Sequence, residues 1–507
     1  MNYRPKEMLM WDAWYWNTGE EIHVFHLQRL APGSSKTVRE EHGIGHAVSR
    51  DLIHWEEQPI ALFPGEPGTL DDMEIFTGCT YELDGKYYLF YTMKSSREQG
   101  AVQRIALATS DNLYHWEKYP ENPILIPDQR WYHTEEKPAM YGLVDCRDLC
   151  IVKDPAGVGY YGYYAARIPA KEMPEGAVVA CCYSRDLIHW EQRGPVFQSD
   201  GKYTIVEVPT VFELDEKWYL LLLCNNEYGN RNLFPGQPQL IMGTIYAVAD
   251  SPEGPFVEPE DNILLASENF NGFSCRTVEF QGKQMLMYTS TSRVGASDAG
   301  DVMMGVLSTP KELVIREEKL CAKYSPLIES DLGECLLNSS MLTDTMPCRL
   351  MYQTPGEWEV QNGKVYGSVR TAWSRYTFRA KARSFIFQAE VTLEEGVGVG
   401  LAFKEAEHGY GGGIFMLDFE KGMVQLLRIP QLNVIDSRKT ALQYGRTYSV
   451  KIVSKDKYLE FYIDDILVLQ SVFYAAREGM MGLVVDRGCA IFENISAYRL
   501  EGCPIED

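Results

Sequence analysis

The sequence predicts an all-β protein, a five-bladed β-propeller followed by a C-terminal β-sandwich. Three observations predict it. The heptapeptide SRDLIHW occurs identically at 49–55 and 184–190, with a weaker copy, SDNLYHW, at 110–116. Five turns, each leading into an aromatic or apolar strand, recur at intervals of roughly sixty residues, at 19–28, 84–92, 157–165, 215–224 and 281–289. After Lys323 the repeat stops, and runs alternating on period two take over.

Each repeat has the same order of parts. A short apolar run comes first (10–16, 76–83, 148–153, 207–214 and 273–280), then a turn, then the aromatic strand. Turns of the Asp-Gly type between such runs are hairpin signals. Further strands close each unit, the first three at the S-x-D/N-x-x-x-W motif, and five such four-stranded units make a propeller. Trp55, Trp116 and Trp190 of the motif are expected to pack blades. The propeller is assigned to residues 1–325 and a linker to 326–348, which holds Pro326, Gly333, Asn338, Ser339, Ser340 and Pro347. Residues 349–507 are assigned to the sandwich, with strands expected at 384–393, 397–403 and 458–469 and a turn at Gly411, Gly412 and Gly413.

Composition excludes several functions. Of 507 residues, 48 are Lys or Arg and 71 are Asp or Glu, a formal net charge of −23. Nucleic acid requires a basic footprint that this chain lacks, and an anionic membrane surface repels it. No run approaches the ~20 apolar residues of a membrane span. The N-terminal stretch has no secretory-leader pattern, which predicts a cytoplasmic protein. The 12 cysteines form no C-x-x-C pairs, so free thiols in a reducing compartment are expected. His42 and His46 lie four apart but without H-E-x-x-H order, and there is no dinucleotide fingerprint or G-x-S-x-G elbow. No metal and no cofactor are expected.

Chemistry is expected where the innermost strands converge on the propeller axis. The same 11-residue interval separates Asp12 from His23, Phe76 from Tyr87 and Glu207 from Trp218, and 12 residues separate Asp148 from Tyr160. This count puts Asp12, Asp148 and Glu207 at matching places in blades one, three and four. An acid opening an apolar inner strand is costly unless paired or functional. Two carboxylates flanking a glycosidic bond are the working parts of most glycosidases, one a proton donor with a raised pKa and the other ionised. Arg147 can fork hydrogen bonds to a carboxylate or to sugar oxygens.

These residues resemble glycoside hydrolase family 32, the invertase and fructanase family, in the five-bladed clan shared with family 43. Trp11-Asp12 followed by Gln28, IGHAVSRDLIHW at 44–55, Phe76-Thr77-Gly78-Cys79, Arg147-Asp148-Leu149 and Glu207-Val208-Pro209 are similar to the family's motifs. The resemblance implies that Asp12 is the nucleophile, Glu207 the general acid/base and Asp148 the transition-state stabiliser. It also implies that Trp11, Gln28, Phe76, Thr77 and Arg147 bind substrate. The implied reaction is retaining hydrolysis of β-fructofuranosides, as sucrose-like or short fructo-oligosaccharide substrates. Trp11 stands where the family has Asn, Ile44 where it has a pocket Trp, Leu149 where it has Pro and Val208 where it has Cys. A furanosidase of other specificity, for arabinofuranosides or an unusual fructose disaccharide, and a non-catalytic sugar-binding propeller are the alternatives. The expected partner is a small carbohydrate, with self-association left open.

Overall fold

In the computed structural model, which describes residues 3–135, 142–170, 173–224, 241–342 and 356–502, each copy of the heptapeptide folds as the same side-chain-held turn. Ser49 Oγ accepts from the backbone N–H groups of Asp51 and Leu52, and Asp51 Oδ1 accepts from those of Ile53 and His54. Ser184 with Asp186, and Ser110 with Asn112, repeat the arrangement. These local bonds hold Leu52, Leu113 and Leu187 in the left-handed region, at φ 63°, 67° and 64°. Trp55 and Trp116 then donate their indole N–H back to Leu52 and Leu113. Trp55, Trp116 and Trp190 each pack against a buried cluster between strands, as expected of blade-packing residues.

The turns punctuate five antiparallel blades. Blade one is Met8–Asn17, Ile22–Leu30, Ile44–Ser49 and Glu56–Leu62. Blades two, three and four are separate four-stranded sheets whose inner strands are Glu74–Leu83, Cys146–Lys153 and Glu207–Leu214. The inner strand of blade five is Gly272–Phe280, and its third strand comes in two pieces, Val302–Leu307 and Lys311–Arg316, both paired to Lys283–Arg293.

The sandwich is built around two long strands, Lys364–Ala382 and Gly479–Leu500, that pair with each other. Its core holds Phe385, Phe387, Leu401, Phe415 and Phe461, each fully buried. Two sequence expectations change here. Within the stretch expected as a linker, Leu332–Asn338 is a strand paired to Gly479–Leu500, which carries the chain into the sandwich sheet. The run 458–469 is two strands, Tyr458–Ile463 and Ile466–Val472, because Asp464 and Asp465 take φ 50° and 63° and reverse the chain.

The two domains share an apolar cluster that includes Phe212, Tyr246 and Tyr324 of the propeller and Ile386, Tyr462 and Leu467 of the sandwich. A buried ion pair, Lys311 with Glu460, lies between them. Tyr462 OH and Thr309 Oγ1 donate to the Glu460 carboxylate at 2.7 and 2.8 Å. Among the described residues no helix is long and apolar enough to cross a membrane, and no disulfide joins the described cysteines.

Candidate active site

Every inner strand carries a register break at the same place. The pairing with the second strand skips between Met10 and Ala13, Phe76 and Cys79, Arg147 and Cys150, Glu207 and Thr210, and Phe273 and Arg276. Such bulges re-aim side chains. Three of them hold a non-glycine residue in the left-handed region: Asp148 at φ 63°, Val208 at 49° and Ser274 at 58°. Strain of this kind costs about 1–3 kcal/mol per residue and persists where the surroundings enforce it. Threonines of the second strands brace the bulges, at Asp148 directly. Thr92 Oγ1 donates to Thr77 O at 2.9 Å and accepts from Asp148 N at 3.1 Å. Thr289 Oγ1 donates to Trp11 O at 2.6 Å.

The bulges correct the matching-position expectation. Glu207 is the residue just before its bulge, Asp148 is first in its bulge and Asp12 is second. Counting through the hairpin assumed turns of equal length. Strands Glu74–Leu83 and Lys86–Lys94 are joined by two residues, whereas Met8–Asn17 and Ile22–Leu30 are joined by four. The three acids nevertheless meet. Asp12, Asp148 and Glu207 line one cavity of about 330 Å³ together with Trp11, Phe76, Thr77, Arg147, Lys94, Gln103, Asp145 and Arg167.

Arg147 is the hub of the charge network. It donates to Asp145 Oδ1 at 2.6 Å and to Gln103 Oε1 at 3.2 Å. Its Nε is 3.5 Å from Asp148 Oδ2, and its Nη2 is 3.4 Å from Glu207 Oε1. Arg167 Nε donates to Asp145 Oδ2 at 2.7 Å. Asp148 also accepts from Val208 N at 3.0 Å, so the strained bulge of blade four aims its N–H at the acid of blade three.

Burial and the neighbouring Asp148 charge push Asp12 up to about 6, against the hydroxyls of Thr77 and Ser274 and the Arg276 guanidinium, which favour its ionised form. Burial also raises Asp148, opposed by Arg147, the Val208 N–H and Arg276. Burial pushes Asp145 the same way, but Arg147 and Arg167 outweigh it and hold that acid below its ordinary range. Burial thus disfavours the charged forms of Asp12 and Asp148, whereas the two arginines hold Asp145 ionised.

One wall is aromatic. The Trp11 and Phe76 rings meet edge to face at 5.5 Å. Arg29 lies 4.4 Å from the Trp11 ring centroid and Lys94 lies 4.1 Å from that of Phe76. Glu74 holds both cations, at 2.6 and 3.4 Å. Gln28 is absent from this wall. Its neighbour Leu27 lines the cavity, and the pleat turns Gln28 to the opposite face, where its Nε2 donates to Glu40 O at 2.7 Å. Ile44 and Trp14 are core residues as well.

Sequence reading missed Lys94, Gln103, Asp145 and Arg167 on the cavity wall, and Arg276 behind it. Arg276 carried the same signal as the acids, a charge in an apolar inner strand. The others stand at or beside strand ends, where a polar side chain attracts no notice.

The inner strands of a five-bladed propeller thus bring buried acids and a forked arginine to one cavity. The chain belongs to glycosyl hydrolases family 32, whose N-terminal domain matches residues 15–323. The match takes in Asp148 and Glu207 and begins just after Asp12. It is similar to the sucrose-6-phosphate hydrolase of Escherichia coli, 27% identical over 183 residues, 35% of this chain and 34% of that protein. In sequence the chain spans less than half the length of the curated relatives it matches. In fold it is similar to a mutant of the Bombyx mori β-fructofuranosidase BmSUC1 in complex with sucrose, with TM-score 0.64, 18% identity and coverage of 98% of this chain and 94% of that one. It is also similar to a fructan 1-exohydrolase IIa variant of Cichorium intybus in complex with 1-kestose, with TM-score 0.68, 13% identity and coverage of 99% and 97%.

Proposed function

We propose that this chain hydrolyses β-fructofuranosidic bonds in sucrose-like or short fructo-oligosaccharide substrates, with residues 1–325 carrying the reaction and 349–507 buttressing it. The observation that carries this reading is the convergence of Asp12, Asp148 and Glu207, from three blades, on one cavity with Arg147 between the last two. Ionised Asp12 attacks the anomeric carbon while Glu207, whose side chain is 23% exposed, gives its proton to the leaving oxygen. Glu207 then takes a proton from the water that releases the sugar. Asp148 faces the positive charge that develops on the ring, and Trp11 and Phe76 supply an apolar wall for the furanose. Family membership supports the reading, and so do the sucrose and 1-kestose found in proteins of the same fold. Described cysteines without disulfides suit a reducing compartment such as the cytoplasm.

A second reading, another furanoside, is favoured by one observation: the Trp11 indole forms cavity wall where the family has an Asn. A panel of fructosides and arabinosides, with the product anomer followed by NMR, tests both. The expected result is fructose released first as the β-anomer. Cleavage of arabinosides alone would support the second reading, and cleavage of none would leave a binding propeller.

A further inference from the structure

Four of the five inner strands place an uncharged side chain directly after the bulge: Ala13, Cys79, Cys150 and Thr210. The fifth places Arg276 there, only 4% exposed. Its Nη1 donates to Pro209 O at 2.7 Å, and its Nη2 lies 3.4 Å from both Gly78 O and Asp148 O. Those three carbonyls belong to the bulges of blades four, two and three. These carbonyls take hydrogen bonds from Nη1 and Nη2 but leave Nε unpaired and the charge itself unanswered, and a buried charge is costly unless an opposite one faces it.

We propose that Arg276 is a positioning residue of this site, an axial guanidinium that staples three bulges together and supplies the positive charge behind Asp12 and Asp148. The stapling explains why the left-handed Asp148 and Val208 persist, since each flanks or contains a carbonyl that Arg276 holds. The charge explains how two acids, 7% and 3% exposed, share one corner of the cavity. Arg276 favours the ionised form of both. The other groups around that corner are Arg147 and Asp145 of blade three, Glu207 of blade four, Lys94 and Thr77 of blade two, and Ser274 of blade five. Tyr15, Cys79 and Cys275 lie close by; burial raises all three, which keeps them neutral.

The effect on turnover rests on the reading of Asp12 as nucleophile, but the titration of Asp12 is measured without substrate. Infrared difference spectra of the full chain against Asp12→Asn isolate the Asp12 carboxyl stretch and give its protonation midpoint. Arg276→Gln, which keeps a donor for Pro209 O, is expected to raise that midpoint by about one pH unit. At pH 6 kcat should fall about fivefold with KM nearly unchanged, and Arg276→Lys should restore most of both. An Arg276→Gln midpoint equal to that of the wild type overturns the proposal. If Arg276→Gln does not fold, Asp12→Asn/Asp148→Asn/Arg276→Gln decides: a folded triple variant supports the countercharge and an unfolded one overturns it. A shifted midpoint with unchanged kcat would sustain Arg276 and remove Asp12 from the reaction.

Discussion

Thr77, on the inner strand of blade two, donates its hydroxyl hydrogen to Oδ2 of Asp12, on the inner strand of blade one. The bond crosses a blade boundary and acts on an acid that burial pushes up to about 6. A hydrogen bond to a charged group contributes about 1.5–3 kcal/mol, and one pKa unit is about 1.4 kcal/mol. Thr77→Val should therefore raise Asp12 by about one unit or more above its value of about 6. Ionised Asp12 is then lost at higher pH, so the acid limb of kcat/KM moves up, while Thr77→Ser keeps the limb in place. The pH–rate profiles of the two variants check this.

Asp12→Asn should stabilise the protein while abolishing its reaction. The folded-state pKa is raised above that of an unfolded aspartate, so the folded protein binds more protons between about 4 and 6. Stability falls as pH rises through that window, and above it the full cost of the buried charge is present. At pH 7.5 Asp12→Asn should gain about 3 kcal/mol, and at pH 4 nearly nothing. Urea unfolding at the two values measures the difference.

His26 has the opposite dependence. It is buried in blade one with Tyr3 OH 3.2 Å from Nε2, and burial lowers its pKa to about 4. An unfolded histidine titrates near 6.5, so the folded state binds fewer protons between 4 and 6.5. The stabilisation is complete above about 6.5 and is lost as pH falls towards 4. His26→Gln should lose about 3 kcal/mol less than the wild type between pH 7.5 and 4, read from denaturant midpoints.

Removing one partner of the buried Lys311–Glu460 pair should loosen the domain interface. Breaking such a pair leaves an uncompensated charge and costs about 3–5 kcal/mol. Glu460→Gln is expected to lower Tm markedly, and Lys311→Met/Glu460→Gln to recover part of the loss. Calorimetry of the two variants decides it.

How much the sequence disclosed follows from which interactions are local. The propeller was legible because Ser49, Asp51 and Leu52 define a turn within seven residues, and the copy at Ser184 repeats it. Asp12, Asp148 and Glu207 were legible as charges in apolar strands. Their stagger was hidden, since it depends on hairpin turns of unequal length and on bulges braced by Thr92 and Thr289 from other strands. Gln28 was misplaced because a motif gives spacing, whereas the pleat decides which face a side chain takes. The split at Asp464-Asp465 was missed because two aspartates without glycine make a weak turn signal.

The central claim, Asp12 as nucleophile with Glu207 as its proton partner, is tested most directly by trapping. Glu207→Gln should cut kcat on natural β-fructosides by about 10²–10⁴, yet still react once with a β-fructofuranoside whose leaving group needs no protonation. Peptide mapping of that reaction should place a single hexosyl adduct on Asp12. An adduct on Asp148, or release of the inverted anomer with no adduct at all, would contradict the account.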